Sequence, residues 1–182
     1  LARDTWSPES GIEVSVERLT KMWCNAVASG ATGLTISGGE PGDQPEALLE
    51  LLASVNQTLP LAGHEIPDIL MYTGYEFDEF NARVPGARSL VDALITGPYD
   101  VLQPTTLIWR GSANQRLQLL TPLGIERYET YVDYSPDKPA MQVLVDDHDI
   151  WYVGVPRSGD LARIERAINE QGVTTGGASW RP

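Results

Sequence analysis

Three times in its first hundred residues the chain runs through a short apolar stretch into a glycine turn. The stretches are "GLTISGGE" (Gly33 to Glu40), "DILMYTGY" (Asp68 to Tyr75) and "DALITGPY" (Asp92 to Tyr99). Each is rich in β-compatible side chains and bounded by turn formers, the pattern of a strand, and Gly33 to Ser37 reads as a buried one. Helical periodicity lies before and between them. Ser15 is placed to cap a helix over residues 16–28, with Val16, Leu19, Met22, Trp23, Ala26 and Val27 on one face and Gly30 as its stop. Ala47, Leu48, Leu51, Leu52 and Val55 recur at helical spacing over residues 45–55, and an acidic helix start follows at Glu76 to Phe80. Strands alternating with helices imply βα units, hence an α/β fold with a mostly parallel sheet. Ligands of such sheets sit where the carboxyl ends of the strands meet the following loops. The turns at Gly38-Gly39, Gly74 and Gly97 would therefore gather along one edge.

Beyond Tyr99 the pattern changes. "QVLVDDHDIWYVGVP" (Gln142 to Pro156) predicts two strands around a turn built from Asp146 to Asp149, a hairpin that extends the sheet or crosses it. Leu161, Ile164, Ala167 and Ile168 mark a last helix, ended near Gly172, and the tail over residues 173–182 is expected to be mobile. A length of 182 residues fits one core, so residues 1–172 are expected to form a single domain.

Composition narrows the function. A hydrophobic fraction of 42% with 21% charged residues describes a folded globular chain. No apolar run approaches a membrane span and no signal-peptide pattern opens the sequence, so the expected location is the cytoplasm, with no membrane partner. A net charge of -12 with only 13 scattered basic residues argues against nucleic acid as a partner, because phosphate backbones need clustered Lys and Arg. The single cysteine, Cys24, permits neither an intrachain disulfide nor a cysteine metal site. Its place beside Trp23 on the first helix reads as an ordinary packed or half-buried thiol.

Glycine loops ahead of helices often bind phosphate, but the motifs for that are missing here. Gly39 is followed by Glu40 where a P-loop needs Lys, and no GxGxxG spacing occurs. A carboxylate there repels phosphate and suits an ammonium group, whose hydrogen bonds strand-end carbonyls can also accept. That points to an amino-acid-like ligand; the plainer reading is a glycine turn with a capping acid before the Pro45 helix. A serine hydrolase centred on Ser37 fails, since Thr35 breaks GxSxG and the only histidines, His64 and His148, lie in predicted turns. Asp146, Asp147, His148 and Asp149 have the oxygen ligands of a weak divalent-metal site, yet hairpin turns are built from the same residues, and no metal ligand is assigned.

With these segments in view, the chain resembles the radical S-adenosylmethionine proteins, most nearly the small activating enzymes of anaerobic ribonucleotide reductase and pyruvate formate-lyase. "GLTISGGEP" is similar to the GGE segment of that superfamily, and the resemblance implies that Gly38, Gly39 and Glu40 hold the amino group of S-adenosylmethionine. "YTGY" and "ITGPY" resemble the next two strand ends, which adds Thr73 and Gly74 to the ligand set. "RGSANQR" (Arg110 to Arg116) is similar to a segment of the single-cluster members. There Arg110, Asn114 and Gln115 would position a carboxylate or a partner backbone, unless Ser112 caps a short helix and leaves them solvated. "RDTW" (Arg3 to Trp6) resembles the stretch directly after the cluster cysteines.

The resemblance implies a partial (βα) barrel, S-adenosylmethionine and a [4Fe-4S] cluster as cofactors, a flavodoxin or ferredoxin as electron donor, and a glycyl-radical enzyme or peptide as the partner. In such enzymes an electron from the cluster cleaves S-adenosylmethionine, and the resulting 5'-deoxyadenosyl radical abstracts hydrogen from the partner. The chain departs from the family at its defining loop, C-x3-C-x2-C, which it lacks. Cys24 cannot replace it, because a cubane cluster needs several thiolates. Alignment on "RDTW" puts the third cysteine immediately ahead of Leu1 or within a few residues of it, so the chain is expected to be a piece of an activating enzyme, inactive alone. The alternative is a cluster-less relative that keeps the fold as a ligand-binding or interaction module.

Overall fold

The computed structural model describes residues 11–58, 65–137, 141–145, 150–154 and 159–172. Arg3 to Trp6, His64, the Asp146–Asp149 turn and the tail from residue 173 lie outside the described residues.

Helix α1 spans Val16–Ala28, its first turn capped by the Ser15 hydroxyl, which accepts from the Arg18 N–H at 3.3 Å. It stops at Gly30 (φ +97°), a left-handed conformation open to glycine, and the Ala31 N–H closes the end on the Ala26 carbonyl. Then follow β1 (Gly33–Ile36), α2 (Pro45–Asn56), β2 (Asp68–Tyr72), α3 (Phe77–Arg83), β3 (Ala93–Thr96), β4 (Arg116–Leu119) and α4 (Pro122–Tyr128). The first three strands pair in parallel in the order β1-β2-β3, and β4 closes the row antiparallel to β3. The α/β class and the mostly parallel sheet thus follow the expected pattern.

Two expectations about the strands are corrected. Among the described residues the hairpin β5 (Met141–Val145) and β6 (Ile150–Gly154) pairs only with itself, as a separate two-stranded sheet, and does not extend the first. Strand β1 is not buried: it is an edge strand, with Gly33 and Thr35 exposed and only Leu34 and Ile36 turned toward the core. Helix α5 (Asp160–Glu170) ends beside Gly172 as its periodicity indicated.

Alternation along β2 divides the core. Ile69 and Met71 face α1, α2 and α3, packing with Trp23, Val27, Leu52, Phe80 and Leu94. Leu70 faces the other way with Ala93, Ile95 and Leu117, and that face is covered by Trp109, Tyr128 and Val132. Each fully buried side chain of this kind contributes about 2 kcal/mol. Met22, placed on the buried face of α1 by its spacing, is exposed instead.

The amino ends of β2 and β3 are tied to α4 by polar groups. Arg127 donates to the Thr32 and Ile66 carbonyls at 3.0 and 2.8 Å and pairs with Asp68, which also accepts from the Tyr128 hydroxyl. Asp92 accepts from the Thr121 hydroxyl and, at 2.8 Å, from the Ile69 N–H. On the same apolar face the Tyr72 hydroxyl donates to the Trp109 carbonyl at 2.9 Å, and Trp109 is the one described non-glycine residue with positive φ (61°).

Burial pushes the Tyr72 phenol up to about 12 from its ordinary 10.0. A raised phenol pKa favours the protonated form in the fold, so its contribution is complete below pH 10.0 and is lost as pH climbs toward about 12. Tyr72→Phe should therefore lose less stability than the parent between these two values in alkaline urea titrations. Parallel curves for the two proteins would contradict the assignment.

Candidate functional site

Strand β1 ends at Ile36 and hands the chain to Ser37, Gly38 and Gly39, all exposed. Gly38 sits at φ +112°, where a side chain is strained, and a Cβ on either glycine would point into open space. Glu40 then turns inward. Its Oε1 accepts from the Gly42 N–H at 2.9 Å and from the Thr73 hydroxyl at 2.7 Å, and its Oε2 accepts from the Gly74 N–H at 2.7 Å. One carboxylate thereby joins the tips of β1 and β2.

The third tip is tied to the second. The Thr73 N–H reaches the Ile95 carbonyl and the Gly97 N–H reaches the Tyr75 carbonyl, each at 2.9 Å. Gly42 is close-packed, since a Cβ there would stand 3.1 Å from both Glu40 Oε1 and the Tyr75 ring. The Tyr75 hydroxyl donates to Asp43, a bond that raises its pKa, and the Arg83 guanidinium lies 4.1 Å from the ring centroid. Gly38, Gly39, Glu40, Thr73 and Gly74 are thus brought together at the carboxyl edge of the sheet, with Gly97 beside them. The sequence indicated the assembly of these tips, but not the Glu40 clasp or the Tyr75–Asp43 bond.

The "RGSANQ" loop lies on the far side of the Gly97 turn. Gln115 donates to the Gly97 carbonyl at 3.1 Å and accepts from the Gly111 and Ser112 N–H groups at 2.8 and 3.2 Å. Asn114 donates to the Pro98 carbonyl at 2.7 Å, while its buried Oδ1 has no partner among the described residues. Ser112 caps no helix; it is fully buried and its hydroxyl accepts from the Asp100 N–H at 3.0 Å. Arg110 is only 7% exposed and donates to the Val132 carbonyl. Burial lowers its pKa against the opposing pull of Asp133. Asn114 and Gln115 thus hold the third strand tip, and Arg110 fastens the loop to the segment after α4.

A carboxylate offers about four acceptor directions and Glu40 has used three, which leaves one for a further donor. The exposed Gly38 and Gly39 carbonyls accept no hydrogen bond from the described residues. Acid and free carbonyls together suit a cationic donor such as an ammonium group and disfavour phosphate. A [4Fe-4S] cluster finds no such fit. Cys24, expected to be packed or half-buried, is exposed, with its Sγ 3.7 Å from the Thr58 hydroxyl. Among the described residues no group of three or more His, Cys, Asp or Glu side chains is placed to hold a metal.

Comparison with known proteins adds an independent finding. A family described as a 4Fe-4S single cluster domain matches residues 1–118. The chain is 31% identical over 117 residues to the anaerobic ribonucleoside-triphosphate reductase-activating protein of Enterobacteria phage T4, spanning 63% of this chain and 70% of that protein. Its counterpart in Salmonella typhi is 33% identical over 118 residues, 62% of this chain and 73% of the relative. The Escherichia coli K12 protein of the same name is 36% identical over 86 residues, 46% and 53% of the two chains. No solved structure matches.

Proposed function

We propose, from the premise that the chain belongs to the 4Fe-4S single cluster domain family alongside the reductase-activating proteins, that it is the ligand-holding and partner-facing part of a radical S-adenosylmethionine activating enzyme. The observation that carries this reading is the clasp of Glu40 on Thr73 and Gly74, which fixes an acid and two free glycine carbonyls at one sheet edge. In this reading the ammonium end of S-adenosylmethionine donates to the Gly38 and Gly39 carbonyls and to the remaining Glu40 acceptor. Thr73 and Gly74 keep that carboxylate oriented, and the sheet is one part of a (βα) barrel. Bound S-adenosylmethionine would supply the hydrogen-abstracting chemistry by which such enzymes place a glycyl radical on a partner, with a flavodoxin or ferredoxin as electron source.

The cluster is a different matter. One thiolate cannot ligate a cubane, so the activating-enzyme reading takes the cluster ligands from outside these 182 residues. The same cysteine count favours a second reading, a cluster-less relative that binds ligand or partner without radical chemistry. Coding sequence upstream separates the two: an in-frame C-x3-C-x2-C supports the activating enzyme and its absence supports the module.

The chain itself tests the site. Incubated anaerobically with iron and sulfide, it should develop no stoichiometric cluster absorbance, and titration calorimetry with S-adenosylmethionine should still give weak saturable heat. A stable cluster would overturn the ligand assignment, and absence of heat at millimolar ligand would overturn the site.

A further inference from the structure

The loop after β3 carries Tyr99, Val101 and Leu102 at 46%, 71% and 86% exposure. Exposed apolar side chains on a mobile loop mean little, but this loop is held from within. Asp100 Oδ1 accepts from the Leu102 N–H at 2.9 Å and Oδ2 from the Gln103 amide at 2.8 Å. The Asp100 N–H is fixed to the buried Ser112 hydroxyl, the Ala113 N–H reaches the Gln103 carbonyl at 2.8 Å, and the Tyr99 ring packs so closely on Gly111 that a Cβ there would stand 2.9 Å away. A rigid display of apolar groups has already met the entropy cost of ordering, which is what a binding hot spot requires.

Position and charge indicate what it meets. The loop stands at the third strand tip, next to the two that form the ligand site, where a macromolecule presenting an atom to that site can contact it. It also lies within residues 1–118, the part shared with the cluster-domain family, whereas the exposed Leu144, Trp151 and Val153 of the β5–β6 hairpin lie beyond them. Arg116, level with Thr96 at the start of β4, is exposed and forms no ion pair among the described residues, in a chain of net charge -12.

We infer that Tyr99, Val101 and Leu102, with Arg116 at the adjoining start of β4, form the docking surface for an apolar, carboxylate-bearing segment of the reductase that the enzyme activates. This rests on the activating-enzyme reading and adds to it the surface on which the partner is recognised.

The test is binding of the anaerobic ribonucleoside-triphosphate reductase from the same organism, measured by surface plasmon resonance. The double variant Val101→Ser/Leu102→Ser should raise Kd about tenfold or more, since truncating a central apolar anchor commonly costs that much. Arg116→Gln should weaken binding at low ionic strength and match the parent in high salt. Leu144→Ser/Val153→Ser, an equal loss of apolar surface on the hairpin, should bind like the parent. Loop and parent proteins of equal affinity, or loop and hairpin variants equally weakened, would overturn the docking surface while leaving the activating reading intact. A parent that binds no reductase would overturn both.

Discussion

Glu40→Ala is expected to lower S-adenosylmethionine affinity at least tenfold and to destabilise the fold by roughly 3 kcal/mol. Both effects come from one side chain with two tasks. Among the described residues its carboxylate is the only acceptor given to the Gly42 N–H, the Thr73 hydroxyl and the Gly74 N–H, and Gly42 and Thr73 are buried, so removal strands donors that water cannot easily reach. Hydrogen bonds to a charged acceptor and the penalty for buried unpaired donors set the size of the loss. Glu40→Gln keeps the shape but strikes both tasks: one oxygen becomes an NH2 group that must face a donor, and the charge that attracts an ammonium is lost. Calorimetry below each variant's unfolding midpoint, beside urea denaturation, reads the two effects independently. Unchanged ligand affinity in Glu40→Ala would remove the residue from the site, and an unchanged urea midpoint would deny the clasp.

The legibility of this site in the sequence has a physical reason. Strand followed by glycine turn is a local pattern, written within eight residues at Gly33 to Glu40, Asp68 to Tyr75 and Asp92 to Tyr99, and parallel pairing with the strands in sequence order brings their carboxyl ends together. Caps are equally local, as at Ser15, which is why α1 begins and ends where its periodicity places it. What stayed hidden depends on partners remote in sequence. The edge position of β1 is decided by which strands exist beside it, not by Leu34 or Ile36. Arg127 meets Asp68 from 59 positions away, and nothing near either residue signals the pair.

Strand β4 and helix α4 escape the sequence patterns for a different reason, since their signals exist but are brief. Four residues of alternation, Arg116 to Leu119, and a seven-residue helix opened by Thr121 and Pro122 fall below the length at which periodicity separates strand, helix and loop. Gln115 and Asn114 illustrate a further limit. Amide side chains suit ligand recognition and loop bracing equally well by composition, and only the distances to Gly97 and Pro98 show the bracing. The exposure of Cys24 belongs here too, because a residue one step from buried Trp23 on a helix can lie on either side of the packing boundary.

Gly124→Ala should be the most damaging single methyl among the described glycines, lowering stability by roughly 3 kcal/mol. A Cβ at this position would stand 2.0 Å from the Asp92 carbonyl oxygen and 2.7 Å from its carbon. Both obstacles are backbone, so no rotamer change relieves them, and the Asp92 carbonyl is already engaged by the Leu120 N–H at 2.9 Å. To admit the methyl, α4 must lift from the start of β3. Lifting it breaks that bond and pulls Arg127 and Tyr128 away from Asp68, leaving a carboxylate that is nine-tenths buried without its cation. At 182 residues, such a loss corresponds to a fall in melting temperature of roughly 6–12 °C. Gly39→Ala is the matched control: its Cβ meets nothing within 4 Å and its φ is outside the left-handed range, so its melting point should stay near that of the parent. Because α4 lies beyond residue 118, where the family match ends, the comparison also asks whether this segment is part of the folding unit. A Gly124→Ala protein melting with the parent would mean that α4 is not seated on Asp92, and the second core face would then lack its cover.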